Sequence, residues 1–83
     1  MLLMKLKALA DENRLAIVRF LFLGSKTVSE ITRATGKSQP NTSIALKQLL
    51  YSQIITREKE GKYVHYSLKD KEGVKKALEL IGR

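Results

Sequence analysis

The sequence contains no cysteine and no tryptophan, a single proline and a single histidine. Without cysteine there is no disulfide framework and no thiolate metal ligand. His65 stands alone, no Gly-rich phosphate loop occurs, and Glu58 and Glu60 fall where a hairpin tip would leave them solvated. No enzyme and no cofactor are therefore expected. Long apolar runs are missing as well. The opening MLLMKLKALA is interrupted by Lys5 and Lys7, no small-residue cleavage site follows, and nothing approaches the ~20 apolar residues needed to cross a bilayer. The expectation is a soluble cytoplasmic protein without a membrane partner.

Acidic residues are scarce. Eight Asp and Glu face sixteen Lys and Arg, for a net charge of +8. Between Glu12 and Glu58 the only acid is Glu30, so Lys26, Arg33, Lys37 and Lys47 stand almost unopposed. Such a chain is drawn to polyanions before any specific contact forms. Its 83 residues suggest one domain, 1–83. A chain this short buries only ~60–65% of its unfolded surface. With no disulfide to help, a second subunit is the natural source of further buried area.

Hydrophobic spacing divides the chain into helices and a hairpin. Leu2, Leu3, Leu6, Leu9 and Ala10 recur at helical spacing,. Asp11 is placed to cap a second helix, with Leu15, Ile17, Val18, Leu21 and Phe22 as its apolar stripe and Gly24 as its stop. Thr27 and Glu30 form a capping box for a third helix carrying Val28, Ile31 and Ala34 inward, which Gly36 ends. Ser38 caps a fourth, with Gln39 and Pro40 in its first turn and Leu46, Leu49 and Leu50 buried; Ile44 is ambiguous. After Ser52 the period changes to two, and Ile54–Arg57 and Tyr63–Leu68 read as strands around a Glu58–Lys62 tip. Asp70 caps a last helix with Val74, Ala77, Leu78 and Ile81 on one face. The expected fold is mainly α with a β-hairpin: about five helices and a two- or three-stranded wing, a winged helix-turn-helix.

Each part of that order has a physical job against a DNA duplex. A recognition helix needs short polar side chains near its start, and Gln39, Asn41, Thr42 and Ser43 meet the need. Gln and Asn can pair bidentately with adenine; Thr and Ser are adaptable, and Thr offers a methyl to thymine. Ser38 and the free N–H groups of the helix start can hold a phosphate, with Lys37 and Lys47 bracketing the face. In the wing, Arg57, Lys59 and Lys62 surround a narrow Gly-containing tip. Glu58 and Glu60 partly cancel their charge, so phosphate steering rather than base selection is expected there.

The runs LADENRLAIVRFL (Leu9–Leu21), SQPNTSIALKQL and EGKYVHYSL together resemble the ArsR/SmtB family of small winged-helix repressors over roughly Leu6 to Leu68. The resemblance implies a homodimer that binds an inverted repeat in a promoter, with Ser38, Gln39, Thr42 and Ser43 on the reading face. Two departures stand out. Where the family often has Arg-His after the helix serine, this chain has Ile44 and Ala45. Where the family has a Gly before its next strand, this chain has Gln53. The metal ligands of sensing members also have no counterpart: there is no cysteine around Val28–Thr35, and the last helix offers Glu72 and Glu79 without histidine. A soft-metal or zinc site with N and S donors cannot be assembled, and thiol redox sensing is excluded.

The outer helices carry more apolar surface than so small a core needs. The resemblance makes them the subunit interface, assigning Leu2, Leu3, Leu6, Val74, Leu78 and Ile81 to it. The function expected is thus a sequence-specific, dimeric DNA-binding repressor. A nonspecific architectural DNA coater would keep the charge and the wing but make the helix face incidental. A winged-helix protein-interaction module would need no polyanion attraction, and the charge of +8 argues against it.

Overall fold

The computed structural model describes the backbone of residues 2–82 and the side chains of residues 3–82. Eight elements follow one another: α1 (Leu2–Leu9), α2 (Glu12–Leu21), β1 (Lys26–Thr27), α3 (Val28–Thr35), α4 (Gln39–Tyr51), β2 (Ile55–Glu60), β3 (Tyr63–Leu68) and α5 (Lys71–Leu80). Among the described residues no helix is long and apolar enough to cross a membrane.

Local side-chain chemistry sets the helix starts. The Asp11 carboxylate accepts the Arg14 N–H at 2.9 Å. The Thr27 N–H donates to Glu30 Oε1 at 2.9 Å while Thr27 Oγ1 accepts the Glu30 N–H at 3.3 Å, a complete capping box. Ser38 Oγ accepts the Asn41 N–H at 3.3 Å, and Asp70 accepts the Gly73 N–H at 3.1 Å. Each such cap is worth ~1 kcal/mol. Gly36 ends α3 in the left-handed conformation, at φ 71°. Gly24 does not end α2 in that way. The helix stops at Leu21, a turn through Phe22 and Leu23 follows, and Gly24 at φ 131° only redirects the chain into β1.

The sheet has the order β1-β3-β2 and is antiparallel throughout. β1 supplies the third strand, pairing Lys26 with Tyr66 and Thr27 with His65. Two residues are too few to show a period, so nothing local marks them as a strand. The hairpin is tighter than expected: β2 runs to Glu60 and β3 starts at Tyr63, leaving Gly61 and Lys62 as the turn. Gly61 has φ +63° and Lys62 is not among the positive-φ residues, the pattern of signs of a type II′ turn that suits right-twisted strands,.

The core is built on α2, whose Leu15, Ile17, Val18 and Leu21 are buried against Leu9, Ile31, Leu46, Leu49 and Ile54. Val28 and Leu50 pack partly against it, whereas Ala34 is exposed. The expected subunit face divides. Val74 and Leu78 are 3% and 8% exposed, because α5 turns them inward onto the monomer's own core. They are core residues, and their assignment to an interface is corrected. Leu6 and Ile81 are half-covered, and Leu3 remains 65% exposed. Leu80, at the end of α5, is 66% exposed. The side chain of Leu2 lies outside the described residues.

Candidate nucleic-acid interface

α3, the turn at residues 36–38 and α4 form the helix-turn-helix, with β2 and β3 behind them as the wing. One face of α4 is fixed by burial. Thr42, Ala45, Leu46, Leu49 and Ser52 point inward. The opposite stripe, at spacings of four, three and four residues, is Pro40, Ile44, Lys47 and Tyr51, all exposed,. Exposed Asn41 and Gln48 flank it on one side, and Gln39 and half-buried Ser43 on the other.

Gln39 and Asn41 are thus exposed at the helix start, beside exposed Lys37. Thr42 is not. It is 0% exposed, and its hydroxyl donates to the Ser38 carbonyl at 2.9 Å. It sits on the core side of α4 and braces the first turn, so its expected role in reading bases is corrected. Ser38 is exposed but its hydroxyl is engaged as the cap. Pro40 carries no N–H, and the Asn41 N–H is already taken by that cap. A phosphate cradle at this helix start therefore narrows to the N–H of Gln39 and the Ser38 hydroxyl.

In the wing, register separates charges that the linear sequence mixes. Directly opposed residues share a face, and Arg57 lies opposite Tyr66, Lys59 opposite Val64, and Ile55 opposite Leu68,. Glu58 lies opposite His65 and Glu60 opposite Tyr63 on the other face. One surface is therefore basic and the other acidic, with Glu60 Oε1 3.8 Å from His65 Nε2. Lys62 projects from the turn, its ammonium 5.7 Å from the Tyr63 ring centroid. The expected cancellation of Arg57 and Lys59 by Glu58 and Glu60 is weaker than their order suggested.

Two further features bear on how α4 is seated. Arg14 of α2 donates through Nε to the Ala8 carbonyl at 2.6 Å and through a terminal nitrogen to the Gln48 side chain, joining the end of α1 to α4. This junction borders an open cavity of about 510 Å³ lined in part by Lys7, Arg14, Lys47 and Tyr51. No local signal marks Arg14, since its partner lies 34 residues away. The second feature is Gln53. Its φ is +60°, its N–H donates to the Leu50 carbonyl, and the Ile54 N–H donates to the Leu49 carbonyl, both at 3.0 Å. This is a Schellman close of α4 with glutamine at the position glycine usually takes. Gln53 Oε1 also accepts from Lys69 Nζ at 3.1 Å. Among the described residues, no group of three or more His, Cys, Asp or Glu could hold a metal ion.

The family described as "Bacterial regulatory protein, arsR family" matches residues 11–57 of this chain. An arsenical resistance operon repressor of Escherichia coli (strain K12) is 44% identical over 63 residues, covering 75% of this chain and 54% of that protein. The chain spans about half the length of the curated relatives that head the comparison. Among solved structures, the transcriptional repressor BigR from Xylella fastidiosa superposes with a TM-score of 0.84 at 28% identity, over 98% of this chain and 85% of that one. The homodimeric winged helix-turn-helix DNA-binding domain of a possible ArsR-family regulator from Mycobacterium bovis gives 0.83 at 25% identity, over 96% and 75%.

Proposed function

Because the chain belongs to the arsR family of bacterial regulatory proteins, we propose that it is a sequence-specific DNA-binding repressor, acting as a homodimer on an inverted repeat in the cytoplasm. One observation carries this reading. The start of α4 holds Gln39 and Asn41 in solvent, flanked by Lys37, while Thr42 and Leu46 anchor the same helix in the core. A rigidly seated helix with free polar ends beside cations is what a major groove accepts. The basic wing face and tip contribute phosphate contacts that place the helix without choosing sequence.

Leu3 and Leu80, with half-covered Leu6 and Ile81, supply the apolar surface for the second subunit. Two-fold symmetry then sets the recognition helices one helical turn apart, ~34–36 Å. Metal sensing is no part of the reading, because the chain carries no cysteine and one histidine,.

The test is selection of bound duplexes from a random pool, followed by titration at fixed salt. The expected outcome is an enriched inverted repeat bound at least ~10³-fold more tightly than random duplex. Gln39→Ala should cost ~1–3 kcal/mol on that repeat and relax one position of it, while Lys47→Ala weakens all sequences alike. Equal affinity for selected and random duplex would replace this reading with that of an architectural coater. No binding to either would reject DNA as the partner.

A further inference from the structure

Ile44 sits where a helix that reads only polar base edges would not place it. It is 57% exposed. It lies between Pro40 and Lys47 on the stripe of α4 directly opposite buried Thr42, Ala45, Leu46 and Leu49. Single exposed aliphatic residues are common on protein surfaces; the position of this one is what matters. With α4 in a major groove, the centre of its outward stripe meets the base edges. There a branched aliphatic side chain strips water from donors and acceptors and returns no hydrogen bond, which is unfavourable. The floor of the groove offers one apolar feature among the four ordinary bases, the C5-methyl group of thymine.

We propose that Ile44 is a specificity-determining residue that selects thymine at one position of each half-site by packing on its C5-methyl group. The inference rests on the DNA-binding reading above and adds the base that this side chain selects. Gln39 and Asn41, on the flanks of the stripe, would read neighbouring positions through hydrogen bonds. Ile44 would contribute shape and dryness between them.

The experiment replaces each thymine of the selected duplex, one at a time, by deoxyuridine. This removes the methyl group and keeps the pairing and the O4 acceptor. Affinities are measured for the wild-type protein and for Ile44→Ala. Because Ile44 lies outside the core, the variant keeps the wild-type fold, verified by its circular dichroism and melting curve. At one thymine per half-site the wild type should lose about fourfold, equivalent to ~0.8 kcal/mol for one buried methyl group. Ile44→Ala should lose less than about 1.5-fold there, the non-additivity expected of groups in contact. An equal loss in both proteins, or no sensitive thymine in the wild type, overturns the proposal. If the random pool yields no enriched sequence, the DNA-reading function itself has failed and this inference falls with it.

Discussion

At Gln53 a residue with a β-carbon occupies left-handed backbone, at φ +60°, to close α4 and begin β2. That conformation costs an L-residue ~1–2 kcal/mol relative to right-handed backbone, and glycine almost nothing. Gln53→Gly should therefore raise stability by about 1 kcal/mol even after losing the Lys69 contact, visible as a rise of ~4–8 °C in Tm. A lower Tm would show that the Lys69–Gln53 hydrogen bond outweighs the strain. Glu30 offers a second test at this scale. Its carboxyl is held below its ordinary value near 4.5, chiefly because the Thr27 N–H donates to it, with Lys26 adding attraction. A lowered folded pKa stabilises above the ordinary value and is lost as pH falls through the folded one. Wild type should thus exceed Glu30→Gln in stability at neutral pH, with the difference shrinking in urea melts as pH drops from 4.5. Both sites were legible in part: the Thr27–Glu30 spacing announced its capping box, and the absent glycine at residue 53 posed the question that its φ answers.

Among the elements, the wing depended most on register. The alternation of β3 was readable, but Glu58–Glu60 read as part of the hairpin tip; the pairing of Glu58 with His65, Lys59 with Val64 and Glu60 with Tyr63 carries β2 through them. That pairing gathers Arg57 and Lys59 on one surface and Glu58 and Glu60 on the other. Lys59→Ala should weaken binding to selected and random duplex equally and lower the slope of log K against log salt by about 0.9, one phosphate contact. Glu58→Gln should change that slope far less, and salt titrations of the two variants compare them directly. In α4, Thr42 looked like a reading residue because Ser, Thr, Asn and Gln cluster at the start of the helix. Its 100°-per-residue position sets it with Ala45, Leu46 and Leu49 instead, and the same rotation carries Ile44 outward,. That signal was present in the spacing of the buried leucines, and composition masked it.

For the whole molecule, the question is what covers the outer helices. Val74 and Leu78 close the monomer, whereas Leu3 and Leu80 stay 65% and 66% exposed. Leu3→Glu with Leu80→Glu should leave the helical circular dichroism intact and shift sedimentation from dimer to monomer. Affinity for the inverted repeat should fall with it, since one half-site contributes only part of the binding energy. An unchanged sedimentation coefficient would place the subunit contact elsewhere. By itself the sequence determined the five helices and the hairpin in their order, the caps of α2, α3, α4 and α5, and the basic character, because each depends on residues within a few positions or on simple counts. Only the tertiary structure decided that Lys26–Thr27 joins the sheet, that Arg14 reaches Gln48, and that Val74 and Leu78 close the monomer's own core. The physical reason is shared by all three. Each depends on a partner distant in the chain, which is brought into place only when the helices and sheet pack.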